Sequence, residues 1–228
     1  IQCDELWSFI HCKEKTRLRL HPHMEEIGDC FTWTALDRDS KLILTYAVGK
    51  RDNSTAMRFV RNLRRATSGQ FQIDTDGLNI YQSVIPMVFG RNQDHAQVVK
   101  IFGAPADEET RRYSPAKIIG MNVSVGGGDP DLDQASTSFV ERSNLTIRMM
   151  LRRFTRLTNA YSKSWDHHEA ALALLFAWYN FVRPHMTLNR REGRKCTPAM
   201  AAGLTDHVWS AKELIEMVIP RGEMAEAS

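Results

Sequence analysis

The sequence predicts an α/β protein whose mixed five-stranded sheet is flanked by helices. Three β-rich segments come first, separated by turns and a polar loop, as is typical of an antiparallel meander. Two further strands then alternate with segments of helical period, which is typical of crossover connections within a sheet. A long apolar helix follows, and the chain is 43% hydrophobic and 25% charged, which is enough apolar material for a sizeable core.

Five strands are predicted from alternating side-chain character and from β-branched or aromatic residues. They are Ile1–Ile10, Cys30–Leu36, Leu42–Val48, Gln70–Asp76 and Gln97–Phe102. The polar segment Lys13–Gly28 is predicted to be the loop between the first two strands. In the first strand, alternation places Asp4 on one face of the sheet and Glu5 on the other. A buried acid is costly unless it is paired or binds metal, so Asp4 is a candidate functional residue.

The helices are predicted from capping residues and from apolar residues that recur at helical spacing. In chain order they are Asn53 or Ser54 to about Thr67, Tyr81–Phe89, a helix that begins near Ser138, Trp165–Val182, Thr197–Leu204 and Ala211–Met217. Up to the helix near Ser138 the element order is therefore β-β-β-α-β-α-β-α. The segment Gly103–Ala135 is predicted to be mostly irregular, and its Gly126–Asp133 part is expected to be a flexible hinge before the next helix.

One segment, Ser136–Lys163, combines a single acid with a row of basic residues. Ser138 and Glu141 match the spacing of a capping box, so Glu141 is a candidate cap. The residues that follow at spacings of three and four share its helical face. They are Asn144, Arg148, Arg152 and Arg156. An acid at the head of a basic row is also a plausible place to hold a metal ion beside a phosphate backbone, whereas a basic row alone is typical of a solvated helix face.

Composition excludes several classes of protein. The net charge is only +3, which is weaker than the footprint of a dedicated nucleic-acid module, so any such surface must come from local clustering. The four cysteines form no C-x-x-C pair, which argues against a structural zinc site and favours reduced thiols in the cytoplasm. The longest apolar run, Ala170–Val182, is too short to span a bilayer. Since the first residue is Ile1 and not Met, we expect that an upstream domain is missing.

Three acids from distant parts of the chain are candidate metal ligands. Asp4 lies in the first strand, Asp76 ends the fourth strand just before Gly77, and Glu141 lies on the following helix. Strand alternation puts Asp74 on the same face as Asp76, so the pattern alone does not separate the two. Oxygen ligands without imidazole or thiolate suit Mg²⁺ or Mn²⁺, and a pair of such ions can act on a phosphodiester.

The order and spacing of several motifs resemble those of DDE transposases of the ribonuclease-H-like superfamily, within the bacterial insertion sequence IS-one group. The motifs are QCDELWSF at Gln2–Phe9, TDG at Thr75–Gly77, STSFVERSNLTIRM at Ser136–Met149, RRFTRLTNAYSK at Arg152–Lys163, YNFVRPHMTL at Tyr179–Leu188 and TPAMAAG at Thr197–Gly203. This resemblance covers nearly the whole chain. It implies a ribonuclease-H-like catalytic domain over residues 1–195, followed by a short helical C-terminal tail over residues 196–228.

The resemblance also implies a site and its partners. It places the two aspartates and the glutamate of the family on Asp4, Asp76 and Glu141, which would bind two Mg²⁺ or Mn²⁺ ions. Relatives carry a basic residue seven positions after the glutamate, which here is Arg148. We expect DNA contacts from Arg148, Arg152, Arg156, Lys163, Arg183 and His185, although helix-end packing is an equally good interpretation of His185. The implied partners are double-stranded DNA, as transposon ends and target, and further copies of the chain, in a cytoplasmic and nucleoid-associated setting.

Two alternatives stay open on the sequence alone. The first is a catalytically inactive remnant of a transposase that binds or regulates DNA. The second is a ribonuclease-H-like nuclease that cleaves nucleic acid without joining strands. The presence of all three acids argues against the first, and the segments Tyr179–Leu188 and Thr197–Gly203 argue against the second.

Overall fold

The computed structural model describes residues 1–103, 117–155 and 158–218, and in them a twisted mixed sheet is covered by helices on both faces. The strands are β1 (Gln2–Ile10), β2 (Gly28–Leu36), β3 (Ile43–Gly49), β4 (Ile73–Thr75), β5 (His95–Phe102) and β6 (Ile118–Gly127). The helices are α1 (Glu14–Leu20), α2 (Asn53–Ala66), α3 (Ile80–Phe89), α4 (Ser138–Met150), α5 (Trp165–Ala177), α6 (Met186–Glu192), α7 (Pro198–Ala201) and α8 (Ala211–Val218). A 3₁₀ turn at Arg152–Phe154 follows α4, and a π-helical turn at Trp178–Val182 continues α5.

The sheet has the strand order β3-β2-β1-β4-β5-β6. The pairs β1–β2, β2–β3 and β5–β6 are antiparallel, whereas β4 pairs in parallel with both β1 and β5. The connection from β3 to β4 runs through α2, and the connection from β4 to β5 runs through α3, as parallel pairing requires. The α/β class and the mixed sheet flanked by helices are therefore confirmed.

Alternation along the strands divides the core between the two faces of the sheet. Leu6 and Ile10 of β1 pack with α4 and α5, in a cluster that includes Ile147 and Leu172. Cys3, on the other face, packs with α2 and α3, where Trp33, Phe59 and Tyr81 are fully buried. Each face of β1 thus packs against one layer of helices, and Asp4 lies on the same face as Leu6 and Ile10, where it contacts Asn144 of α4.

The predicted number of five strands is wrong, because β6 forms a sixth strand within the segment Gly103–Ala135 that we expected to be irregular. β6 lies at the sheet edge and pairs antiparallel with β5, from Phe102 opposite Ile118 to His95 opposite Gly127. Glycines interrupt its apolar pattern, and many of its side chains are exposed, so its sequence lacks the alternation of a half-buried strand. The loop that follows is also held in place, because the Asp129 backbone N–H donates to Asp94 Oδ1 at 2.8 Å.

The loop predicted at Lys13–Gly28 contains the short helix α1, none of whose residues is buried. It therefore has no apolar stripe from which it could be predicted. Polar contacts hold it instead: the Glu14 N–H donates to Asp29 Oδ1, and the Asp29 N–H donates to Glu14 Oε2, both at 3.0 Å. Helix α6 is likewise not among the helices predicted from the sequence.

The helix expected within Ser136–Lys163 is shorter than predicted. α4 ends at Met150, and Leu151 is extended, with φ −107° and ψ 109°. Arg152 therefore lies in the following 3₁₀ turn and not on the face of α4 that carries Arg148. Arg156, the last residue of the predicted row, lies outside the described residues.

The described cysteines are all free thiols, and Cys3, Cys30 and Cys196 are buried. In the part of the chain that the structure describes, no helix is both long and apolar enough to cross a membrane.

Candidate active site

Two of the predicted acids are brought together by the pairing of β1 with β4. In this parallel pair, Gln2 lies opposite Asp74 and Cys3 lies opposite Thr75. The next position along both strands places Asp4 beside Asp76, although 72 positions separate them in the sequence. Asp76 lies one residue past the end of β4. Neighbouring strands lie about 4.8 Å apart, so the register alone makes these two acids neighbours.

The carboxylates form a cluster that includes an acid we expected elsewhere. Oxygens of Asp4, Glu5 and Asp76 all lie within 4.8 Å of one another. Glu5 was predicted to point to the opposite face, but its carboxylate belongs to the cluster. Its side chain is only 1% exposed; it accepts a hydrogen bond from the Tyr81 hydroxyl and pairs with Arg51 at 3.1 Å. The predicted orientation of Glu5 is therefore wrong, although Tyr81 and Arg51 already hold its carboxylate within the protein.

The third predicted acid, Glu141, reaches the same place from α4. It lines a cavity of about 480 Å³ together with Asp4, Asp76 and the basic side chains of Arg51 and Lys100. The Lys100 ammonium forms an ion pair with the Glu141 carboxylate, and the Thr137 hydroxyl donates to Glu141 Oε1 at 2.6 Å. The structure thus gathers all three predicted acids around one cavity, with a lysine on the third.

The capping-box prediction for Ser138 and Glu141 is wrong. The N-cap position belongs to Thr137, and the Ser138 hydroxyl accepts from the hydroxyl of Ser136 at 2.9 Å. The start of α4 is capped from the sheet instead: Gln2 Oε1 accepts hydrogen bonds from the backbone N–H groups of Phe139 at 2.9 Å and Val140 at 3.0 Å. Because Gln2 lies two positions before Asp4 on β1, this contact fixes the helix that carries Glu141 against the strand that carries Asp4.

A further contact crosses from α4 to β1 inside the cluster. The Asn144 side-chain amide donates to Asp4 Oδ2 at 2.7 Å, and the Glu5 backbone N–H donates to Asp4 Oδ1 at 2.8 Å. Asp76 is held by its own turn, since the Leu78 N–H donates to its Oδ1 at 2.9 Å. Both aspartates are therefore oriented before any ligand binds.

The cluster is electrostatically strained. Burial, followed by the charges of Asp76 and Glu141, raises the pKa of Asp4 to about 7 against the opposing backbone hydrogen bond from Glu5. Burial and the charge of Asp76 likewise raise the pKa of Glu5 to about 8. In addition, Asn144 Oδ1 is buried without a hydrogen-bond partner among the described residues. A cation would relieve the repulsion between the carboxylates, and the oxygen-rich donor set fits Mg²⁺ or Mn²⁺.

The alternative acid, Asp74, does not join this cluster. It is 4% exposed, and its carboxylate accepts from Gln72 Nε2 at 2.7 Å and from the Ser136 N–H at 3.1 Å. These contacts tie β4 to the segment just before α4. Asp74 therefore supports the position of Glu141 from a distance, while Asp76 faces the cavity.

The residues expected to contact DNA are spread over several surfaces. Arg148 lies on α4 and donates to the Phe154 carbonyl at 3.4 Å. Arg152 is exposed in the 3₁₀ turn, and Lys163 lies with its Nζ 3.4 Å from the centre of the Tyr161 ring. Arg183 and His185 line a different cavity from the carboxylates.

Sequence reasoning missed two basic residues of the carboxylate cavity, Arg51 and Lys100. Lys100 could have been identified as a candidate from the sequence, because it is the one charged residue within the predicted strand Gln97–Phe102. Arg51 could not have been identified in this way, since it lies in a polar turn before α2. Only the tertiary structure brings its guanidinium to 3.6 Å from the Asp76 carboxylate.

Comparison with known proteins adds one similarity. No curated protein matches the chain. Residues 26–107 match the model of a family described as a DDE domain (DDE_Tnp_IS240), so the match covers just over a third of the chain. It includes Asp76 but begins after Asp4 and ends before Glu141. The similarity supports a relationship to DDE transposases, and this support does not depend on Asp4 or Glu141.

Proposed function

We propose that the chain is a DDE transposase that cleaves DNA at the ends of an insertion sequence and joins the freed strand to target DNA. The observation that carries this proposal is that Asp4, Asp76 and Glu141, distant in the sequence, line one cavity beside the two central parallel strands, at the point where β4 ends. Functional side chains commonly lie at such strand ends in open α/β sheets. The match to a DDE domain over residues 26–107, which include Asp76 but neither Asp4 nor Glu141, supports the same conclusion.

Asp4, Asp76 and Glu141 would hold two divalent cations, Mg²⁺ or Mn²⁺, as the raised pKa of Asp4 and the oxygen-rich donor set support. When bound, such ions supply activation of the attacking oxygen and stabilisation of the leaving oxygen of a phosphodiester. The protein's own contribution is orientation: Asn144 and the Glu5 N–H hold Asp4, and the Leu78 N–H holds Asp76.

Lys100 and Arg51 would bind the phosphate that enters the cavity. Both line it, and both now pair with carboxylates, Lys100 with Glu141 and Arg51 with Glu5 and Asp76. A cation on the carboxylates would compete with these ion pairs and make the two side chains available to a phosphodiester. No covalent protein–DNA intermediate is needed in this scheme, since the freed 3′-hydroxyl attacks the target strand directly.

The proposal also includes the group, the partners and the location of the protein. We propose that the chain belongs to the IS-one group and binds transposon ends and target as double-stranded DNA. It would join two ends as a homo-oligomer, in the cytoplasm and associated with the nucleoid. Phosphate contacts by basic side chains make DNA binding fall steeply with salt concentration.

The test is a strand-transfer assay with labelled element-end DNA and supercoiled target plasmid, in Mg²⁺ and then in EDTA. We expect joined product with the wild-type chain in Mg²⁺ only. Asp76→Asn and Glu141→Gln should each lower joining by at least a hundredfold while leaving the circular dichroism spectrum unchanged. Asp39→Asn is the matched control, because this acid is 85% exposed, and it should join normally.

The other outcomes separate the alternatives. Cleavage without joining would indicate a nuclease, and DNA binding without cleavage would indicate an inactive remnant. Joining that survives Glu141→Gln would overturn the assignment of the site. Asp74→Asn distinguishes the two neighbouring acids: we expect it to lower the unfolding midpoint but to retain far more joining activity per folded molecule than Asp76→Asn.

A further inference from the structure

A second cavity, of about 340 Å³, lies against a different face of α4 from the carboxylates, and its charged lining residues are cationic. Lys41, Arg142, Arg183 and Arg190 line it together with His185. No Asp or Glu is among the described residues that line this space. We call it the basic cavity.

The geometry of α4 separates the two sites. Phe139, Arg142, Ser143 and Thr146 line the basic cavity, at the spacing of one helical face. Glu141 and Asn144 contact the carboxylate cluster. At 3.6 residues per turn these two rows point in roughly opposite directions from the helix axis. The basic cavity is thus distinct from the proposed catalytic centre, yet both are fixed to the same short helix.

His185 lines this site and has a ring nitrogen without a partner in the described part of the chain. Its Nδ1 is buried and has no hydrogen-bond partner within the described ranges. The backbone of His185 is fixed, since its N–H donates to the Cys196 carbonyl at 2.9 Å, and its ring lies edge-on to Tyr179. A buried polar atom without a partner costs free energy, so the surroundings of His185 are not at their best in the absence of a ligand.

Lys41 reaches the same cavity from a strained turn. Its φ of 63° is left-handed, a conformation that non-glycine residues seldom adopt. The residue is 8% exposed, and its Nζ lies 3.3 Å from the centre of the Phe139 ring. The turn thus holds a mostly buried lysine at the wall of the basic cavity, which three arginines also line.

The chemistry of the lining defines the ligand. Cations held close together around a semi-enclosed space repel one another, and a multiply charged anion is the ligand that relieves this repulsion; arginine suits phosphate in particular. The walls also include Leu36, Phe139 and Tyr179, which suit an apolar or aromatic group attached to that anion. The volume is at the small end of ligand pockets and is far too small for duplex DNA.

We propose that the basic cavity binds one nucleotide unit through its phosphate, and that the natural source of this unit is a DNA strand that has separated from its duplex. The binding chemistry requires neither divalent metal nor the carboxylate cluster. Only the choice of a DNA strand over a free nucleotide rests on the proposed function. A strand held here would lie one helix diameter from the proposed catalytic centre.

The test is a titration of the full chain, in EDTA and low salt, with three probes followed by calorimetry. The probes are thymidine, thymidine 5′-monophosphate and a short 5′-phosphorylated oligothymidine. We expect both phosphorylated probes to bind, the oligonucleotide more tightly, and thymidine not to bind. Arg142→Gln and Arg190→Gln should each weaken binding about tenfold. Both side chains are exposed, so these variants should fold normally.

Arg91→Gln is the matched control, because Arg91 is an exposed arginine in the turn after α3 and should leave the affinity unchanged. Equal affinity in wild type, Arg142→Gln and Arg190→Gln would overturn the proposal, as would equally tight binding of thymidine. Tight binding of the mononucleotide without the oligonucleotide would overturn the DNA strand as source. The titration is run without divalent metal, so it does not depend on the carboxylate site. A wild-type chain that shows no strand transfer in Mg²⁺ but still binds the nucleotide probes in EDTA would refute the proposed function and leave this inference intact.

Discussion

Replacing Asp4 by asparagine should stabilise the metal-free protein, although it removes a proposed metal ligand. The reason is the strained cluster, in which burial and neighbouring carboxylates raise the pKa of Asp4 from 3.8 to about 7. A shift of this size corresponds to an upper limit of about 4 kcal/mol, at about 1.4 kcal/mol for each pKa unit. Since Asp4 keeps some contact with solvent, which reduces the cost of burial and screens the neighbouring charges, we expect a gain of about 1–2 kcal/mol at pH 8.

The sign of the pH dependence follows from which state binds the proton more tightly. With its pKa raised, the Asp4 carboxyl is protonated in the folded state at pH values where the unfolded chain is already ionised. Stability therefore falls as the pH rises from about 4 to about 7, and the full cost is present above pH 7. The gain from Asp4→Asn should be less than half as large at pH 5 as at pH 8.

The structure also accommodates the substitution. An asparagine oxygen can still accept from the Glu5 N–H, and rotation of the Asn144 amide would present its unpartnered Oδ1 to the new amide group. The loss of hydrogen bonding should therefore be small. The pKa of Glu5 should fall as well, because the charge of Asp4 contributes to raising it, and this adds to the gain.

The assay is urea unfolding in EDTA at pH 5 and pH 8, followed by tryptophan fluorescence. The exposed control Asp39→Asn should change the free energy of unfolding by less than about 0.5 kcal/mol at both pH values. Adding Mg²⁺ should raise the midpoint of the wild type and not that of Asp4→Asn. A loss of stability in Asp4→Asn that is equal at pH 5 and pH 8 would refute the electrostatic reasoning.

Three further predictions concern side chains that position the site or its supporting layers. Gln2→Met removes the acceptor for two N–H groups at the start of α4, so it should lower the free energy of unfolding by about 2 kcal/mol and slow strand transfer beyond any loss of folded protein. Asn180→Ala removes the pair of 3.0 Å hydrogen bonds to the backbone of Ile43 and should cost about 2 kcal/mol in urea unfolding, with an unchanged effect of Mg²⁺. Leu172→Ala opens a cavity at a fully buried position of α5 and should cost about 2–5 kcal/mol by thermal unfolding; a cost below 1 kcal/mol would contradict the packing described for this layer.

The parts of the fold that the sequence predicts well are those stabilised by a buried face. β1 alternates because its two faces pack against different helices, β2 and β3 are rich in β-forming residues, and α5 was predicted from its apolar character although only one of its faces, with Leu172 and Phe176, is buried. Asp76 could be identified because an Asp-Gly pair after a short strand marks a strand end. Its competitor Asp74 could not be excluded, since only the contacts with Gln72 and Ser136 show that its carboxylate is used elsewhere.

The parts that the sequence does not predict depend on partners from distant positions. β6 is a strand because β5 supplies its hydrogen bonds, and α1 is held by the polar exchange between Glu14 and Asp29. The carboxylate of Glu5 joins the cluster because Tyr81 and Arg51 hold it there, which strand alternation does not predict. In each case the missing information is a tertiary contact that overrides the local pattern.

Helix α4 explains how such scattered residues form one site. Its buried face, with Val140 and Ile147, packs on the sheet, and Gln2 of β1 holds its first turn, so its position relative to Asp4 is fixed at two points. Glu141 and Asn144 project from one flank toward the carboxylates, and Arg142 projects from the other toward the basic cavity. A disturbance of the Gln2 contact should therefore impair both sites together, whereas Glu141→Gln and Arg142→Gln should each impair one. We would measure metal-dependent joining and metal-independent nucleotide binding on Gln2→Met, Glu141→Gln and Arg142→Gln. Loss of both activities in Gln2→Met, and of one activity in each of the others, would show that α4 positions two sites that act separately.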